Sequence, residues 1–208
     1  KVVPKLLPLI RRFDIRFNVY RVAKADHAII CFFDQVFDQG VNPAVTWTGY
    51  WTPLRYVLLI KVAALFDKEL AKLAWLARIT PNDQIALPAM QQVCRELRRR
   101  VDALPDFRSR QLVGEALAWA ESNPGEISYN VPSKKEMLQV TPNIVGFQSV
   151  MHGIAAHLKT GATKASRIVV DQQSQFNKAQ RTLADFYRKA KGFKAPMGPG
   201  LPIIDHTH

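Results

Sequence analysis

The residues best suited to chemistry lie in Ile168-Val169-Val170-Asp171-Gln172-Gln173-Ser174. A short apolar run bounded by polar residues predicts a buried strand. An acid at the carboxyl end of such a strand faces the crevice where open α/β sheets collect ligands. A carboxylate there suits a hard divalent cation, Mg²⁺ or Mn²⁺. Two such ions can activate water and stabilise the leaving oxygen in phosphodiester cleavage. The same acid equally suits capping of the helix that follows.

Other acid and histidine pairs are weaker. Asp34 and Asp38 stand four apart on one helix face, a spacing that serves a shared cation or a solvated surface. His152 and His157, five apart, are poorly spaced for one metal and read as ordinary helical histidines. His206 and His208 close the chain in a segment that predicts a disordered end. No Ser-His-Asp pattern, glycine-rich phosphate loop or HExxH motif occurs.

The chain carries 29 Lys and Arg against 17 Asp and Glu, a formal charge of +12. Such a field attracts polyanions, of which nucleic acid, DNA or RNA, is the commonest; the other reading is a positive face that meets an acidic protein. Two stripes are candidates for holding phosphates without reading bases. One is Arg95, Arg98, Arg99 and Arg100, which also suits a helix C-terminus. The other is Lys178, Arg181, Arg188, Lys189 and Lys191, with Lys194 beyond. Trp47, Tyr50 and Trp51 would stack bases if exposed, or pack against the helix after them. Cys31 and Cys94 form no CxxC and no cluster, which favours a reducing, cytoplasmic setting. The most apolar run, residues 57–66, is broken by Lys61 and is too short to span a bilayer, so no membrane partner is expected.

These groups need elements to position them. Residues 1–12 mix prolines and leucines and read as an irregular lead or broken helix. Phe13, Ile15, Phe17 and Val19 alternate with polar residues, which predicts a strand over 13–22 with one face buried. Helices are expected after Asp26, from Pro53 to Phe66, over 67–77, 84–101 and 107–121, after Thr141-Pro142, and over 175–191. The helix from Pro53 is apolar almost all round, which predicts burial. Residues 127–131 suit a short strand or an ordered loop. Two or three lone strands make no comfortable sheet, so strands outside this chain, or a partner's, would complete it.

The stretch SRIVVDQQSQFNKAQRTLADFY, residues 166–187, resembles the late strand-acid-helix segment of a bacterial and phage domain-of-unknown-function family with a ribonuclease-H-like fold and a nuclease role. FDIRFNVYRVAK, residues 13–24, resembles that family's middle strand, which ends in a lysine, and residues 141–158 its preceding helix. The resemblance implies a single α/β, helix-rich domain. Residues 13–66 and 141–208 would form a ribonuclease-H-like core with few strands, and 67–140 a large helical insertion. It further implies that Asp171 binds Mg²⁺ or Mn²⁺ and that Lys24, at a strand end, touches a phosphate. The family's opening Tyr-Ile-Asp-Glu-Ser-Gly type strand and its closing acidic helix are absent, and the chain begins at Lys1 rather than Met. The expectation is therefore an incomplete portion of the fold, or a relative without activity.

Two functions follow. One is a metal-dependent nuclease of ribonuclease-H-like type in a phage or mobile-element setting. The other, favoured by the missing acids, is a non-catalytic nucleic-acid-binding or assembly subunit. A helical module for an acidic protein partner is a third.

Overall fold

The computed structural model describes residues 3–46, 48–137 and 140–160, with the isolated positions 181, 185, 188 and 189. All regular structure among them is helical. The helices are α1 Val3–Arg12, α2 Lys24–Val36, α3 Arg55–Ala63, α4 Lys68–Ile79, α5 Asp83–Arg99, α6 Phe107–Ser122, α7 Lys134–Met137 and α8 Pro142–Thr160.

Local chemistry explains most of the boundaries. Asp67 caps α4 by accepting the Leu70 amide at 2.8 Å, and Asn82 caps α5 through the Gln84 amide at 3.0 Å. Asp106 caps α6 through the Ser109 amide at 2.8 Å. Pro142 opens α8, where its missing N–H costs nothing. Asn42 ends the α2 region. Its amide donates to the Val36 carbonyl at 2.8 Å and the Ala116 carbonyl at 3.0 Å, so a buried side chain ties the exit of α2 to α6.

The core joins α2, α4, α5 and α6, with α3 against α2 and α6. Phe32, Phe33 and Phe37 enter it from the α2 region, Met90, Val93 and Leu97 from α5, and Val113 and Leu117 from α6. Phe32 meets Phe66 and Tyr129 edge-on, with ring centroids 5.4 and 5.8 Å away. The fully buried Tyr129 hydroxyl donates to the Ala74 carbonyl at 2.8 Å. Ile127, Tyr129 and Val131 are thus core residues in an ordered loop rather than a strand.

The α/β, ribonuclease-H-like fold is overturned: the described residues contain no strand and no sheet. The expected middle strand fails for a local reason. Phe13 and Asp14 belong to the C-terminus of α1. The Ile15 amide reaches back to the Ile10 carbonyl at 2.9 Å and the Asp14 amide to Arg11 at 3.4 Å, with Asp14 left-handed at φ 45°. This is the helix-ending turn that usually takes glycine. Residues 15–23 then run without regular structure, and Lys24 is the first residue of α2, not a strand end. The resemblance to the ribonuclease-H-like nuclease family falls with the sheet it implies. Helices α4, α5 and α6, all within 67–140, share one core with α2 and α3. Nor is α3 buried on every side. Only Leu58 and Val62 are buried, while Leu54, Tyr56, Val57 and Ile60 are exposed.

The acids that cap α4 and α6 also bind bases from elsewhere in the chain. Lys61 of α3 donates to Asp106 at 2.6 Å, and Arg100 to Asp67 at 2.7 Å. The Lys61 ammonium first, then the Ser109 amide and hydroxyl, hold the Asp106 carboxyl down at about 2. A carboxyl lowered on folding adds stability above its ordinary value of 3.8, lost as pH falls towards 2. Asp106→Asn, which keeps a capping side chain, is expected to flatten the fall in stability between pH 4 and pH 2; denaturant melts across that range check it. Phe32→Ala is expected to cost about 3–5 kcal/mol in the same melts, as a buried aromatic without room to collapse.

Candidate nucleic-acid interface

The described residues place the two expected basic stripes differently. Arg95, Arg98, Arg99 and Arg100 close α5, and each meets an acid. Glu121 of α6 accepts Arg95 at 3.0 Å and Arg98 at 2.6 Å. Arg99 meets Glu96 at 2.6 Å. Arg100 meets Asp67 and also donates to the Leu65 carbonyl at 3.0 Å. Burial pushes the Glu121 carboxyl up, but its bonds to Arg95 and Arg98 outweigh that and hold it below the usual range. These arginines brace α5 against α6 and against the start of α4, and much of their charge is already matched.

Of the other stripe, Arg181, Arg188 and Lys189 are helical and exposed, with Arg188 3.1 Å from Asp185. Lys178 and Asp171 lie outside the described residues, as do Lys191, Lys194, His206 and His208. The expected Mg²⁺ or Mn²⁺ ligand, Asp171, and the run 166–170 before it are among the residues not described. Among the described residues there is no group of three or more His, Cys, Asp and Glu side chains suited to a metal. Asp34 pairs with Arg55 of α3, and Asp38 accepts the Gly40 amide at 2.8 Å, so each carboxylate has a local partner. Both cysteines are free thiols, pushed by burial to about 11 for Cys31 and about 12 for Cys94. No helix among the described residues is long and apolar enough to cross a membrane.

The excess charge sits elsewhere. Residues 25–137 contain thirteen basic and thirteen acidic residues, so the helical core is neutral. Residues 1–24 contain seven basic residues and one acidic, and residues 138–208 nine and three. Each end therefore contributes +6, and together they account for the whole +12. Sequence reasoning named Lys24 but missed Arg11, Arg12, Arg16 and Arg21; counting charge by segment would have found them.

The N-terminal segment is displayed rather than folded away. Residues 11–21 are exposed throughout, including Phe13 at 63%, Phe17 at 72% and Val19 at 83%. The Arg12 guanidinium sits 5.3 Å from the centre of the Phe13 ring. Arg16 is 79% exposed and meets the equally exposed Asp14 at 3.5 Å, a pairing that counts for little in water. Trp51, expected as a stacking or packing residue, is 75% exposed; Trp47 lies outside the described residues.

One contact fixes the far end of this segment. The Tyr20 hydroxyl occupies the space a side chain would need at Gly153 of α8, well inside contact distance of the position a Cβ would take there. Val22 passes 3.7 Å from the equivalent point at Gly146, two turns earlier on the same face. Any larger residue at 153 must therefore push the Tyr20 ring off α8. His27, buried at the start of α2, adds a 2.7 Å hydrogen bond between its Nε2 and the Val140 carbonyl just before α8. The basic segment and α8 are therefore held together.

Comparison with known proteins places the chain in no family: no family model, no curated protein and no solved structure matches it.

Gly153→Ala is expected to separate two effects. Alanine favours the helix by about 1 kcal/mol, yet its methyl must displace the Tyr20 ring. Limited trypsin digestion of the full chain should then cut faster after Arg16 and Arg21, with the core fragment unchanged. An unaltered cleavage rate would show that Tyr20 does not hold the segment.

Proposed function

We propose that this chain is a non-catalytic nucleic-acid-binding or assembly subunit, a neutral helical scaffold that presents its positive charge to a phosphate backbone through its two ends. The observation that carries this reading is the division of charge: none in excess over residues 25–137, and +6 at each end. A positive field attracts polyanions whatever its source. The exposed Arg11, Arg12, Arg16 and Arg21 can release counterions from nucleic acid. Arginines that already hold carboxylates contribute less. Exposed aromatic rings among the basic residues favour nucleic acid over an acidic protein, because every base offers a ring face.

Within this reading the contacts are to phosphates and carry no sequence preference. Arg11, Arg12, Arg16 and Arg21 act from the N-terminal side. Lys178, Arg181, Arg188 and Lys189 are the C-terminal contributors, and Arg95, Arg98, Arg99 and Arg100 serve mainly to brace the scaffold.

Gel-shift titrations of the full chain over a range of salt concentrations test this. Binding should weaken steeply with salt, and no cleavage should accompany it in Mg²⁺ or Mn²⁺. Replacing Arg11, Arg12, Arg16 and Arg21 together with Gln should lower affinity and flatten the salt dependence by about 0.7–0.9 for each phosphate no longer neutralised. Arg99→Gln, on the paired stripe, should leave both nearly unchanged. Absence of binding at low salt would favour an acidic protein as the partner, and metal-dependent cleavage would refute the non-catalytic reading.

A further inference from the structure

We infer that residues 12–21 form a binding strip for single-stranded nucleic acid, in which Phe17 stacks on a base while Arg16 and Arg21 hold the adjoining phosphates. The inference rests on the nucleic-acid reading and narrows it to one class of ligand.

The strip has a repeated composition. Arg12-Phe13, Arg16-Phe17 and Tyr20-Arg21 each pair a cation with an aromatic ring, at near-regular spacing. The three rings have different surroundings. Phe13 lies beside the Arg12 guanidinium, and Tyr20 is anchored against Gly153. Phe17 lies between them and is 72% exposed, open to contact with a base. Four residues of extended chain separate Phe17 from Phe13 by about 14 Å at most. The strip is thus anchored at both ends, by the turn that closes α1 and by the Tyr20–Gly153 contact.

Phosphate attraction alone does not distinguish a duplex from a single strand. Exposed rings do. In a duplex the base faces are covered by their neighbours, whereas a single strand offers each base to an aromatic side chain, with little dependence on sequence. Alternation of rings and cations along an irregular segment matches the alternation of bases and phosphates along one strand. The strand-like reading of residues 13–19 comes from a second alternation, of Phe13, Ile15, Phe17 and Val19 with polar residues, whose apolar side meets no sheet among the described residues.

Fluorescence anisotropy with the full chain and a labelled oligothymidylate, against a duplex of the same length, provides the test. The single strand should bind tighter. Phe17→Ala should weaken single-strand binding by about tenfold with the salt dependence unchanged. Phe17→Tyr should restore it. Arg16→Gln should weaken binding and reduce the salt dependence by about 0.7. Circular dichroism should show every variant folded, since both side chains are exposed. Equal or tighter duplex binding, or an unchanged affinity for Phe17→Ala, would overturn the single-strand inference. If Arg16→Gln still weakens binding in that case, phosphate binding by the ends stands. If the full chain binds neither probe at low salt, the wider reading fails as well.

Discussion

Charge matching inside the helical core is the constraint on which the rest depends. Glu121 draws two arginines of α5 onto α6, and the cap acids Asp67 and Asp106 each bind a base from elsewhere in the chain. Asp67 and Asp106 do two jobs. They satisfy the open amides of a helix end, and they fix where a neighbouring helix lies. With its acids and bases equal in number, residues 25–137 can pack four helices around Phe32, Met90 and Leu117 without a large repulsive field. The surplus of cations is then left to the two ends. Tyr20 and Val22, seated on the glycines of α8, keep the first of these ends beside the helix that leads into the second.

Helices are legible in the sequence where the signal is local. Asn82, Asp106 and the pair Thr141-Pro142 mark starts that the structure keeps to within a residue or two. A cap needs only a side chain and an amide two or three residues away. Sheet formation is not local. The alternation of Phe13 to Val19 records an amphiphilic extended chain, and nothing in it supplies a partner strand. The expected ribonuclease-H-like core rests on that alternation and on a second run, residues 166–171, outside the described residues. Likewise the apolar circumference of α3 suggests burial, but a helix at the margin of the core buries one side only, and Ile60 and Val57 remain exposed.

The candidate interface is half legible. Total charge points to a polyanion, but total charge has no position. Clustering singles out Arg95 through Arg100; the partners of Arg95, Arg98 and Arg100, Glu121 and Asp67, lie more than twenty residues away and become visible only when α5 packs on its neighbours. The more dispersed cations of residues 1–24 form no run, so they escape a search for runs. Gly153 is legible only in three dimensions, since a glycine within a helix does not announce which side chain approaches it.

Hydrogen exchange of the full chain, with and without a saturating single-stranded oligonucleotide, distinguishes binding by the charged ends from binding by the core. If the ends bind, the backbone amides of residues 15–23, which lie outside any helix, gain protection. Residues 95–100, at the end of α5, then stay unchanged. Protection centred on α5 and α6, with residues 15–23 unaltered, would contradict binding through the ends.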